Sequence, residues 1–185
     1  MGILFREVDM KLNIELVPKT AWGVNLRSVL KRRDWDILRK EQYRLAKNVC
    51  EVCGETSRNQ GYFYDLECHE QWHYDDQTHI QTLVGLIGLC KHCHEVVHFG
   101  HTQIKGRANQ ALKHLMQVNE CTSKQACLIV GEAQVKWMER SIHKWTLELS
   151  WLERHGIEIP TGPPKKKRVY KKKTKRRKKT RHHLS

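Results

Sequence analysis

An α+β domain over residues 1–160, with a basic, disordered tail over 161–185, is the fold that the sequence predicts. Three observations carry this reading. Cys50/Cys53 and Cys90/Cys93 form two Cys-x-x-Cys pairs, the usual makings of a tetrahedral four-thiolate zinc site. Short runs with strand alternation are interleaved with stretches of helical period, and two of the strand-like runs lead into a helix rich in metal-ligating side chains. The charge is also segregated. Residues 165–185 hold 13 of the 34 Lys and Arg and no acid, which leaves 21 basic against 20 acidic residues in 1–164. The net charge of +14 thus belongs almost wholly to the tail.

A chain of 185 residues, 39% apolar and with six Trp, can build one packed domain. No run reaches the roughly 18 consecutive apolar residues of a membrane span, so no membrane partner is expected. The apolar run within Met1–Glu7 is too short for a signal peptide. Seven cysteines, four of them in the two pairs, then point to a reducing, cytoplasmic compartment and to metal ligation rather than disulfides.

In chain order, Leu12, Ile14 and Leu16 alternate with Asn13 and Glu15, which predicts a short strand ended by Pro18, with Gly23 in a loop. Asp34 is the expected N-cap of a helix to Asn48 that turns Trp35, Leu38, Leu45 and Ala46 inward. Cys50–Gly54 makes a knuckle, and polar residues 55–61 a loop. Residues 62–68 have strand composition. Residues 72–82, polar and acidic, predict a loop or an edge connection, and the apolar run 83–89 leads into the second knuckle. A helix is expected from Cys93 to Phe99, stopped by Gly100, which completes a ββα order. A further helix over 106–118 buries Ala108, Ala111, Leu112, Leu115 and Met116. Thr122 and Gln125 form a capping box that opens another helix, to Lys144. Trp145, Leu147, Leu149 and Trp151 alternate with polar residues as a strand, which could pair with residues 12–16 and join the chain ends in a short sheet. Pro160–Pro164 ends the domain.

The chemistry concentrates between residues 48 and 100. Each Cys-x-x-Cys pair grips a metal through a tight turn, and Gly54 sits where the first turn needs it. Cys121 and Cys127 lack such context and read as core residues, while Cys68 is either core or a neighbour of the metal. His94 and His98, four apart on a helix, share one face, and His69 follows a strand, so the three could hold a second ion. His73, His79, His92 and His101 are rivals for that role.

Leu66-Glu67-Cys68-His69-Glu70, followed by the run Leu89-Cys90-Lys91-His92-Cys93-His94-Glu95-Val96-Val97-His98, resembles the HNH (His-Asn-His) endonucleases, the ββα-metal nucleases, in their zinc-knuckle form. Val17-Pro18-Lys19-Thr20, His69-Glu70-Gln71-Trp72 and Arg140-Ser141-Ile142-His143-Lys144-Trp145 extend the resemblance to bacterial and phage proteins of similar length. The resemblance implies a structural Zn²⁺ on Cys50, Cys53, Cys90 and Cys93. It also implies a second divalent ion held by His69, His94 and His98 against the scissile phosphate of DNA. Three imidazoles suit Zn²⁺, Ni²⁺ or Mn²⁺ better than Mg²⁺, which prefers oxygen ligands. Two positions depart from the pattern. Glu70 stands where the family has its general-base His, which makes Glu70 either the expected catalytic base beside His69, with His73 as stand-in, or a further metal ligand. The family Asn has no counterpart in Val84–Gly88. The rival reading is therefore a catalytically degenerate zinc-knuckle protein that binds DNA or RNA. The sequence leaves the oligomeric state open.

The tail supplies the remaining expectation. Lys165, Lys166, Lys167, Arg168, Lys171, Lys172, Lys173, Lys175, Arg176, Arg177, Lys178, Lys179 and Arg181 form a polycation suited to nucleic acid, with affinity that falls steeply with salt. Pro164–Val169 also resembles a nuclear import signal, the alternative to a cytoplasmic site.

Overall fold

Two adjacent strands and the helix that follows them organise the chain, which is seen in a computed structural model describing residues 10–159. The fold is α+β. Strand β1 (Glu67–Asp75) pairs antiparallel with β2 (Ile80–Leu89) in the register Glu67↔Leu89 to Asp75↔Ile80, with a bulge between Gln71 and Trp72. Residues 72–82, expected as a loop or an edge connection, are thus the outer half of a hairpin. Their polarity reflects an antiparallel pair with solvent on one side rather than absence of structure. Asp75 Oδ1 closes the turn by accepting from the backbone N–H of Gln77 at 2.9 Å and of Thr78 at 3.1 Å. The expected strand over 62–68 begins only at Glu67.

The hairpin separates two apolar clusters. On one side Leu12, Leu66, Leu89, Val96, Phe99, Leu115 and Ala126 gather around the four paired cysteines. On the other, Leu26, Trp35, Leu38, Leu83, Leu86 and Leu152 pack with Cys68 and Trp72. That second cluster is closed by α1 (Leu26–Val29), α2 (Arg32–Leu45) and α7 (Ser150–Arg154). Asn25 caps α1 through a reciprocal bond pair with Ser28. Helix α2 has no side-chain cap. Asp34, expected there, lies inside its first turn, where the positive end of the helix dipole favours an acid. Leu45, expected inward, is exposed.

The first cluster is closed by α3 (Lys91–Val97), α4 (Phe99–Ile104), α5 (Ala108–Val118) and α6 (Ser123–Arg140). Helix α3 starts two residues earlier than expected, with Cys90 as N-cap, and His98 (φ −90°, ψ 42°) breaks it from α4. Gly100 lies within α4 and stops nothing. The Thr122–Gln125 capping box is present, but α6 ends at Arg140, short of Lys144.

Residues 12–16 and 145–151 do not pair. Residues 12–16 alternate in burial as expected, yet they form no strand. Asn119 brackets Leu12, accepting from its N–H at 2.9 Å and donating to its carbonyl at 2.8 Å, and the Glu15 N–H bonds the Val97 carbonyl at 2.9 Å. A side-chain amide and a helix-end carbonyl satisfy the backbone a ladder would have used. Of the expected strand over 145–151 only β3 (Thr146–Glu148) forms, parallel to β2 (Ile80↔Thr146), before the chain turns into α7. Among the described residues no helix is long and apolar enough to cross a membrane. The tail residues Lys165–Arg181 lie outside the described residues.

Candidate metal centres

The first centre comes from two turns. In Cys50–Gly54 the Gly54 N–H returns to the Cys50 carbonyl at 2.9 Å, and Gly54 takes φ +76°, a left-handed value that favours glycine. The second pair begins with Cys90, whose thiol accepts from the Cys93 N–H at 3.5 Å as the cap of α3. The hairpin brings the turns together, and the sulfurs of Cys50, Cys53, Cys90 and Cys93 lie within 4.8 Å of one another. Cys53 Sγ is 3.5 Å from Cys90 Sγ. Four cysteines so placed can hold a metal ion such as zinc. Hydrogen bonds among the four thiols hold Cys50 and Cys90 low and push Cys53 and Cys93 high. Two side chains stand behind the thiols: Gln60 Nε2 donates to Cys90 Sγ at 3.2 Å, and His114 Nε2 lies 3.1 Å from Cys93 Sγ.

The second centre lies one residue further along α3. Cys93 faces the thiols, and His94 turns to the next face of the helix, where His98 joins it because the His98 N–H bonds the His94 carbonyl at 3.1 Å. Buried His69 projects from β1 on the same side. Ring centroids are 5.6 Å apart for His69 and His94, 4.8 Å for His69 and His98, and 4.6 Å for His94 and His98. One ring nitrogen from each lies within 4.8 Å of the others. Burial first, then the neighbouring imidazoles, pull His98 down to about 3, so it stands neutral with a lone pair available.

Carboxylates brace this cluster. Glu67 Oε2 accepts a hydrogen bond from the Nδ1–H of His94, which leaves Nε2 for an ion, the usual arrangement of an outer partner behind a ligating imidazole. Glu67 is itself fixed by the Tyr64 hydroxyl at 2.5 Å and the Lys91 ammonium at 3.1 Å. Burial would raise the Glu67 carboxyl, but the bond and charge of His94, with Tyr64 and Lys91, hold it well below the usual range. Glu15 Oε2 reaches His69 Nε2 at 3.1 Å and is 44% exposed, so a carboxylate stands at the mouth of the cluster in contact with solvent.

Three predicted imidazoles are thus brought together, and the two predicted bases are not. Glu70 follows His69 on β1 and so points to the opposite face. There its Oε1 accepts the Leu26 N–H at 2.9 Å, and burial pushes the carboxyl up. It serves the start of α1. His73 is exposed and sits on the order of 13 Å along the strand from His69. The rival histidines are placed elsewhere. His79 stacks on His143 at 3.9 Å, His92 bonds Gln110 at 3.2 Å, and His101 is exposed on α4. Cys68 belongs to the second apolar cluster, where burial pushes its thiol up to about 12. Cys127, expected in the core, is exposed on α6.

Sequence reasoning missed Glu67, Glu15, Gln60 and His114. Only Glu67 left a signal, because strand alternation puts it on the face of His69. No protein-family model, curated protein or solved structure matches the chain.

Proposed function

We propose that this chain is a metal-dependent endonuclease of the HNH kind that hydrolyses phosphodiester bonds in DNA. The convergence of His69, His94 and His98 beside the four-thiol cluster carries the reading. The thiols would hold a structural Zn²⁺ that ties the start of α3 to the Cys50–Gly54 turn. The imidazoles would hold the second divalent ion, and their nitrogen donors favour Zn²⁺, Ni²⁺ or Mn²⁺ over Mg²⁺. An ion bound there supplies Lewis acidity to a non-bridging phosphate oxygen and to the leaving oxygen.

The chain's own groups do the rest. Glu67 sets the tautomer and orientation of His94 through its contact with Nδ1. Glu15, in contact with His69 and open to solvent, accepts the proton of the attacking water, the part first expected of Glu70 or His73. The polycationic tail adds affinity for the nucleic-acid backbone that weakens as salt rises.

One observation favours the second reading, a catalytically silent nucleic-acid binder. Glu70 is spent on the Leu26 N–H, so the family's base position faces away from the imidazoles. Plasmid cleavage by the full-length chain, with each of the four metals in turn, separates the two. The nuclease reading expects cutting that His69→Ala and Glu15→Gln abolish. Binding without cutting under every metal would establish the silent binder, and competition with RNA would then identify its ligand.

A further inference from the structure

Among the described residues nothing covers one face of helix α6, and that face repeats its own complement in reverse. Ala126, Ile129 and Val130 on one side of the helix pack toward the first apolar cluster, and the Trp137 indole on that side donates to the Val17 carbonyl at 3.0 Å. On the opposite side Leu128 and Val135 are 43% and 50% exposed. At about 100° per residue, Lys124, Leu128, Val135 and Glu139 fall within roughly 30° of a single line along the helix. Leu128, Gly131, Glu132, Val135 and Glu139 form an open, nearly flat surface along that line.

We propose that this face binds the same face of a second copy, the two α6 helices pairing antiparallel about a twofold axis between Gly131 and Glu132. With that centre, each Leu128 meets the second copy's Val135 and each Lys124 meets the second copy's Glu139. Apolar meets apolar, and positive meets negative, twice over. A twofold contact must be self-complementary in this way. Among the described residues neither Lys124 nor Glu139 takes part in an ion pair within the chain, so both charges are available.

Gly131 is the independent observation. Glycine disfavours a helix interior, yet a Cβ added at Gly131 would meet nothing within 4 Å among the described residues. Internal packing therefore gives no reason for it. In the antiparallel pair each Gly131 lies opposite the second copy's Glu132, whose stem needs the room that a missing Cβ leaves. Big meets small at the crossing.

A lone helix pair buries less than the roughly 1,200 Å² of a standard stable interface, so the dimer should be concentration-dependent. Sedimentation velocity on the nuclease-treated full-length chain, from low to several hundred micromolar, tests the proposal. The expected result is a monomer–dimer equilibrium that Leu128→Glu weakens at least tenfold without changing the thermal melt, because residue 128 is exposed. Lys124→Glu and Glu139→Lys should each weaken it about fivefold, the scale of an exposed ion pair, and the double reversal should restore it. Gly131→Ala should weaken the dimer while strengthening the helix. A monomer at every concentration, association indifferent to Leu128→Glu, or a double reversal no better than either single one would overturn the pairing.

Discussion

Cys93 and His94 are adjacent on α3, and they belong to two different clusters of side chains. The thiol cluster has four donors, three of them buried, on two tight turns, and leaves no position for an outside ligand. The imidazole cluster has three donors, two of them half-buried, on a strand and the end of a helix, with an exposed carboxylate beside it. A closed set of four soft donors stabilises structure, whereas three nitrogen donors leave a coordination position for water or phosphate. One helix can thus be anchored by one face and present chemistry with the next. Stability should therefore follow the cysteines, and activity the histidines.

The largest effect that this contrast predicts is at the thiols. Cys53→Ala leaves three donors, and zinc affinity in such sites supplies folding energy outright, so the variant should lose its metal and several kcal/mol of stability. Zinc analysis and a thermal melt check this, and an unchanged melt would dissolve the distinction. At the imidazoles, Glu67→Gln should keep fold and thiol metal while lowering affinity for the second ion by about 10- to 100-fold, the usual cost of removing an outer-shell partner. Isothermal titration would read the change.

A smaller effect is one of pH. His98 is held at about 3 by burial and by its imidazole neighbours, against an ordinary value near 6.5. The unfolded chain binds a proton in that interval that the folded chain refuses. Metal-free protein should therefore lose stability as pH falls from about 6.5 toward 3 and gain nothing above it. His98→Gln should flatten that part of a melting-temperature series. The smallest effect on cutting is at Glu70. Glu70→Gln should leave cleavage unaltered while slightly weakening the α1 contact, and lost cutting at an unaltered melt would return the base to Glu70.

The sequence disclosed the parts of both centres that are local. Cys-x-x-Cys spacing and the His94/His98 interval are properties of one turn, readable without tertiary knowledge. His69 was singled out by its place after a strand-like run, and the resemblance then set it apart from His73 and His79. Glu70 was assigned to the site from its place in a motif, although alternation on a strand already sets it opposite His69. Glu15 was not legible, because its contact with His69 joins segments 54 positions apart. The fold divides the same way. Helices α2, α3, α5 and α6 and the thiol turns followed from short-range pattern, whereas α1, α4 and α7 were not expected. The outer half of the hairpin was hidden by its polarity, and the parallel pairing of β3 with β2 depends on contacts far apart in sequence.

Titration of metal-free protein with Co²⁺ tests most directly whether α3 carries two separate centres. The first equivalent should bring a thiolate-to-cobalt charge-transfer band, which Cys53→Ala removes. The second should bind without adding to that band, and His69→Ala should abolish it while leaving the first intact. A chain that takes up only one equivalent, or a second equivalent that survives His69→Ala, would contradict the account.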